Sequence, residues 1–188
     1  MDIEYSLATA RHQEAIARLH AYSWQIHYRG IFTDKYLDHD VVNERMNVWK
    51  RRFENPSKDQ FIVLANDQDL LCGFGCAFLN HDPDYGTLID NLHVHPDWQG
   101  KGIGRQLMEH CVDKVSQLDG DFKMYLWVLK ENHKARRFYE LMGGATVEST
   151  IENNPGGGQA EILRIFWDQP PSAKLTGAGE SETPQNQS

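Results

Sequence analysis

Apolar and polar residues alternate from Ile3 to Thr9, the period of a first strand, and give way to helical spacing from Ala10 through Ala15, Ile16, Leu19 and Trp24. Tyr28-Arg29-Gly30 breaks that helix. A second helical region runs from Thr33 to about Phe53 and stops at Asn55-Pro56. Gln60 to Ala65 and Leu70 to Leu79 read as a hairpin around the turn Asn66-Asp67-Gln68-Asp69. In its second strand, Cys72, Phe74, Cys76 and Phe78 are spaced to share one face. A turn from Asn80 to Gly86 leads to a strand over Leu88 to Val94. The helix from Gly102 to about Leu118 carries Ile103, Leu107, Cys111 and Val115 as one buried stripe. Phe122 to Leu129 is almost wholly apolar and predicts a central strand. A helix from Asn132 to Met142 is closed by Gly143-Gly144, and strands near Ala145 to Glu152 and Ala160 to Trp167 flank the segment NNPGGG.

From Asp168 onward the chain turns to Gln, Pro, Ser, Gly and Glu with little apolar content. This predicts one folded domain over residues 1–167 and a disordered tail over 168–188. The 188-residue chain is long enough for a sizeable core. Its formal charge is −8, of which −6 falls on residues 1–167. That balance disfavours nucleic acid and anionic membranes and mildly favours a cationic ligand, although a plain solubility role explains it equally well. The three cysteines, Cys72, Cys76 and Cys111, lie in apolar surroundings and read as core thiols. No second ligand pair stands at metal-site spacing, so no metal is expected. With no basic start, apolar leader or membrane-length run, the expected setting is reduced and cytoplasmic.

The densest signal is LIDNLHVHPDWQGKGIGRQLMEHC, from Leu88 to Cys111. A strand meets a proline turn, then the loop QGKGIG, then an amphipathic helix. Gly100, Gly102 and Gly104 leave main-chain N–H groups uncovered where a helix begins, and a helix start suits a phosphate or diphosphate. A dinucleotide fingerprint fails, because Arg105 or Leu107 occupies its last glycine position, and no Lys-Ser or Lys-Thr supplies a P-loop. The pattern Q/R-x-x-G-x-G/A does fit, at Gln99, Gly102 and Gly104.

That loop resembles the acetyl-CoA-binding loop of the GCN5-related N-acetyltransferases, the GNAT superfamily. The order β-α-α-β-β-β-α-β-α-β-β from Ile3 to Trp167 is similar to theirs, as is the segment SWQIHYRGIFTDKYLD. The resemblance implies an α/β (α+β) fold: a mixed, mostly antiparallel sheet of about six to seven strands with helices on both faces. It implies acetyl-CoA as cosubstrate, held by the amides of Gly100, Lys101, Gly102, Ile103, Gly104 and Arg105 beside Gln99, and by the strand at Leu92, His93 and Val94. It also implies that Asn132 lies near the pantetheine arm and Tyr139 near the sulfur. These two are seven apart, about 700° of helix, and so share one face. Tyr139 would protonate the departing thiolate. Asn132 as a plain N-cap and Tyr139 as a core aromatic remain open.

For the general base, some relatives carry a carboxylate where Asp90 stands, four residues before Val94 and on its face of a regular strand; Glu131, beside Asn132, and water are the alternatives. His93 and His95 titrate better but fall on the other face of such a strand. Trp24 and Tyr28, with His27, Tyr36, Asp34, Asp38 and Asp40, are candidates for binding an amine or for a solvated acidic surface. The family often has Gly-Phe after the tyrosine helix; here Gly143-Gly144-Ala145 stands, and that packing aromatic is missing. The expected activity is acetyl transfer to a primary amine by direct attack in a ternary complex, the acceptor a small amine. The alternatives are a protein N-terminus or lysine, or a non-catalytic acyl-CoA sensor. Pairing as a homodimer is left open.

Overall fold

Seven strands form one sheet in the order β1-β2-β3-β4-β5-β7-β6 in the computed structural model, which describes residues 2–118 and 120–171. They are β1 Ile3–Leu7, β2 Gln60–Asp67, β3 Leu70–Asp82, β4 Gly86–Val94, β5 Met124–Leu129, β6 Ala145–Asn153 and β7 Gln159–Trp167. The helices are α1 Gln13–His27, α2 Val41–Glu54, α3 Ile103–Ser116 and α4 His133–Leu141. Every neighbouring pair of strands is antiparallel except β4 and β5, which α3 connects in a parallel crossover. The expected mixed, mostly antiparallel sheet is therefore present. Most of the tail expected over 168–188 lies outside the described residues.

Helices cover both faces. On one, α1 and α2 bury Ile16, Leu19 and Trp49 against Ile62, Leu64, Phe74 and Cys76. On the other, the α3 stripe of Ile103, Leu107, Cys111 and Val115 is buried, and α4 adds Tyr139 against Leu163, Ile165 and Trp167. The apolar run of β5 is central, as its composition predicts, pairing with β7 over its whole length. Its pairing with β4 stops after Thr87–Met124 and Leu88–Tyr125, so the sheet opens between the two strands beyond that point.

Several elements differ from the periodicity. The second helical region is not continuous: a wide turn at Tyr36–Asp40 precedes α2 and turns both Tyr36 and Leu37 inward. β3 continues past Leu79 to Asp82 through an irregularity at Asn80, whose φ is 48°. Two bulges matter more. Ala65 faces Gly73 but Asn66 faces Leu71, so Cys72 is an extra residue and turns to the α3 face beside Ile103 and Leu107, away from Phe74 and Cys76. In β4, Asn91 faces Cys76 but Ile89 faces Ala77, which makes Asp90 the extra residue. Asp90 therefore does not share a face with Val94. It turns toward α2, and from Asn91 onward the alternation is reset, which puts His93 on the α1 side too.

Candidate functional site

The loop after β4 is a single tight turn, Pro96–Trp98, followed by two left-handed glycines, Gly100 at φ 75° and Gly102 at φ 81°. This path aligns the amides of residues 100–105 ahead of the first helical bond, which runs from Gln106 N–H to Gly102 O at 3.1 Å. None of those six N–H groups meets an acceptor among the described residues. Six aligned donors at the positive end of α3 suit a diphosphate. Ile103 itself points inward and is buried. Lys101 lies over the Trp98 ring at 4.5 Å and Arg105 Nε bonds Glu109 at 2.9 Å, so both cations already have neighbours. A Cβ on Gly104 would stand 3.6 Å from Val94 Cγ2 and 3.9 Å from Phe138 Cζ, so loop, strand and α4 meet here.

The end of β4 forms one wall of the opening. His95 N–H donates to Cys72 O at 2.8 Å, so odd-numbered residues at this end bond to β3. Leu92 and Val94 therefore turn their main-chain groups toward β5, beyond the point where the ladder stops. Their side chains pack beside Ile103 and Leu107. Gln99 Nε2 donates to Val94 O at 3.1 Å, and Lys134 Nζ of α4 donates to Gln99 Oε1 at 2.6 Å. Gln99 thus ties strand, loop and α4 together through its side chain.

On α4, Asn132 Oδ1 accepts the Ala135 N–H at 3.2 Å, which is the N-cap arrangement, and its Nδ2 has no protein partner among the described residues. Two turns later Tyr139 is 8% exposed, yet its hydroxyl is neither bonded to protein nor sealed from solvent. Burial, and secondarily Tyr28, pushes its pKa well above the ordinary 10, so it stays a neutral O–H donor. Tyr28 of α1 is raised to about 12 by burial, and its hydroxyl is likewise unpartnered and open. Tyr28 of α1 and Tyr139 of α4 are thus near enough for Tyr28 to add to the shift of Tyr139.

On the α1 side, Trp24, Tyr28, Phe32 and Tyr36 form a run of ring contacts with centroids 4.9 to 6.1 Å apart. Arg45 covers Trp24 at 4.3 Å and pairs with Glu44, which also accepts from Tyr36 Oη at 3.1 Å. Asp34 and Asp38 are paired with Arg29 and do not face the opening as free carboxylates. The loop between β6 and β7 packs down on this segment: Asn154 Nδ2 donates to Ile31 O at 3.2 Å and Thr33 Oγ1 to Gly156 O at 3.2 Å. Asp90 accepts from Arg52 Nη1 at 2.7 Å, with Asn91 Oδ1 3.2 Å from the same nitrogen.

Of the histidines beneath this opening, the sequence singled out His27 and His93 but not His20. His93 Nδ1 is 2.9 Å from Ser23 Oγ, and its ring lies 4.6 Å from that of His20. Trp49 Nε1–H donates to His20 Nδ1 at 3.1 Å, which fixes the proton of His20 on Nε2. His27 Nε2 is 3.4 Å from Gln99 Nε2. Only the bulge at Asp90 brings His93 to this side, and no local sequence signal announces a bulge.

A sheet split beside a helix start rich in free amides defines a class of α/β proteins built to hold an extended, diphosphate-bearing ligand between two strands. The model of the acetyltransferase (GNAT) family matches residues 17–143, more than half of the chain, and the protein belongs to that family. A ribosomal protein bS18-alanine N-acetyltransferase of Salmonella typhimurium is 38% identical over 71 residues, 38% of this chain and 45% of that protein. The chain thus matches less than half the length of this curated relative. Among solved structures, PaiA N-acetyltransferase from Thermoplasma acidophilum in complex with coenzyme A aligns with TM-score 0.64 at 20% identity, over 89% of this chain and 100% of that one. Arabidopsis thaliana NAA60 in complex with a bisubstrate analogue aligns with TM-score 0.66 at 18% identity, over 88% and 98%. At these identities the likeness establishes the fold.

Proposed function

We propose that the protein transfers an acetyl group from acetyl-CoA to the primary amine of a small molecule, by direct attack within a ternary complex. The observation that carries this reading is the run of six unpartnered amides at residues 100–105, beside the unpaired edge of β4. The residues fit such a ligand. Gly100, Lys101, Gly102, Ile103, Gly104 and Arg105 would hold its diphosphate, and Leu92 and Val94 would pair with its pantetheine amides in place of the missing ladder. Asn132 Nδ2 is free to bind the same arm. Acetyl-CoA supplies the activated thioester.

The remaining steps fall to side chains. Trp24 and Tyr28 line the acceptor side, and the loop at 154–158, drawn onto Ile31, Thr33 and Tyr36, narrows it, which favours a small acceptor. As the amine nitrogen bonds the carbonyl carbon and the C–S bond breaks, Tyr139 donates its hydroxyl proton to the sulfur that leaves. Asp90 enters with its carboxylate already bonded to Arg52, an arrangement that favours holding the bulge of β4 against α2 over moving a proton. A second reading, acetylation of a protein N-terminus, draws support from the alanine N-acetyltransferase relative.

Thiol release from acetyl-CoA, measured across small amines and N-terminal peptides, tests both. Faster turnover of a small amine supports the first reading and faster turnover of a peptide the second. Calorimetric binding of coenzyme A without release for any amine would make the protein a sensor. No binding heat at millimolar coenzyme A would overturn the reading altogether.

A further inference from the structure

We propose that His93 is the base that removes the proton from the attacking amine, and that Ser23 is its positioning residue; the proposal rests on the acetyl-transfer reading above. His93 stands next to Val94 on the strand edge assigned to the pantetheine arm, but its side chain leaves the opposite face, toward α1. Its Nδ1 lies 2.9 Å from Ser23 Oγ. With Nδ1–H donating to that oxygen, Nε2 keeps its lone pair. Nε2 has no protein partner among the described residues and is not sealed from solvent. The other groups facing the ring are His20 and His27 from α1, Arg45 from α2 and Phe74 from β3. His20 cannot compete for the proton, because Trp49 occupies its Nδ1 and its Nε2, which carries the ring proton, is sealed from solvent.

Burial, then His27 and Arg45, hold the free His93 imidazole at about 3, so it is neutral at any working pH. Such a site is a poor base at rest. It gains proton affinity as negative charge grows on the carbonyl oxygen and sulfur beside it, which confines the stabilisation to the transition state. The step balances: the ammonium gives one proton to His93 Nε2, the lone pair so freed forms the N–C bond, the C–S electron pair leaves with sulfur, and Tyr139 protonates the sulfur. The second nitrogen proton passes through water to the Tyr139 oxygen and restores its hydroxyl. His93 returns its proton to solvent.

The test is the pH dependence of kcat for an alkylamine acceptor, in the full chain and in His93→Gln. The wild type should hold a nearly constant kcat from about pH 6.5 to 8.5, because it accepts the ammonium form. His93→Gln should lose about 10²-fold at pH 7 and recover about tenfold per pH unit toward the amine pKa near 10. Added imidazole should partly restore His93→Ala. Ser23→Ala should lower kcat about tenfold with the KM for acetyl-CoA unchanged, and Ser23→Thr should restore it. A His93→Gln profile parallel to wild type, whatever its height, would overturn the proposal. If His93→Gln does not fold, Ser23→Ala decides in its place, and an unchanged kcat and profile there refute the proposal. A wild type that binds coenzyme A but never releases thiol would instead sink the acetyl-transfer reading, and this proposal with it.

Discussion

Gly144→Ala should destabilise the protein through a single steric conflict. Gly144 follows α4, and a Cβ there would stand 2.6 Å from Trp167 Cζ2 and 2.8 Å from Cε2, with Ile165 Cγ2 nearer still. Both side chains are buried, Ile165 at 0% and Trp167 at 3% exposure, so neither can swing into solvent. The backbone of Gly144 is not left-handed, so no conformational penalty adds to the clash. Overpacking of this kind costs about 1–3 kcal/mol. Displacing Trp167 also endangers its Nε1–H bond to Met142 O, 3.0 Å long and buried, for about 1 kcal/mol more. The expected loss is about 2–4 kcal/mol, or a fall in Tm of about 5–15 °C for a domain of this size.

Urea unfolding followed by tryptophan fluorescence gives the measurement, with Gly143→Ala as comparison. Gly143 has φ 84° and open space around its missing side chain, so alanine there costs only backbone strain, about 1 kcal/mol. If Gly144→Ala proves no more harmful than Gly143→Ala, the packing account of this corner is wrong. Gly144 N–H also bonds Tyr139 O at 3.0 Å. Surviving Gly144→Ala protein should therefore lose kcat, while its affinity for coenzyme A, held on α3, stays nearly unchanged.

Gly102→Val places a β-branched residue at φ 81° and should weaken coenzyme A binding about tenfold or more by calorimetry, with backbone strain of about 2 kcal/mol lowering Tm by several degrees as well. Tyr139→Phe should lower kcat about 10²-fold without raising the KM for acetyl-CoA. Gly156→Ala drives a Cβ into Tyr36 and should lift the loop at 154–158, raising the KM for the acceptor more than that for acetyl-CoA. Stability should also fall in acid. His93 is held at about 3 and His20 well below the ordinary 6.5, so the unfolded chain takes up protons that the folded one refuses. The stabilisation is complete above pH 6.5 and is lost as pH falls from there toward 3, by about 2 kcal/mol for His93 at pH 5. Denaturant titrations at pH 7 and pH 5 should show His93→Gln to be the less acid-sensitive protein.

The local periods of the chain carried most of the elements. The α3 stripe, the central β5 and the glycine-rich start of α3 follow from residues next to one another, and each lies where its spacing predicts. The missing aromatic after Gly143 was visible as a gap in a pattern, but its replacement was not. Trp167 fills that space, and only the pairing of Met124 with Trp167 across β5 and β7 brings it there. Likewise, Asp34 and Asp38 look like an acidic surface facing an amine until the path of α1 delivers Arg29 to them. Tertiary register and chain path decide such contacts, and neither is a local quantity.

The bulge at Asp90 is where that limit bears hardest on function. A strand has period two, so one inserted residue exchanges the faces of everything beyond it and also reverses which residues bond each neighbour. Were Asp90 paired in a regular ladder continuing from Ile89, His93 would fall opposite Gly73 and turn toward α3, and a core already filled by Ile103 and Leu107 would have to accept an imidazole. Val94 would present its side chain to α1 and its main chain to β3, closing the edge that now faces the gap. One residue therefore sets two properties together: an unpaired strand edge for the extended ligand, and an imidazole on the acceptor side within one residue of it. Arg52, which holds both Asp90 and Asn91, clamps the bulge to α2. Asp90→Asn, which keeps the extra residue and loses only the charge, should therefore retain coenzyme A binding by calorimetry, because the register beyond the bulge is unchanged.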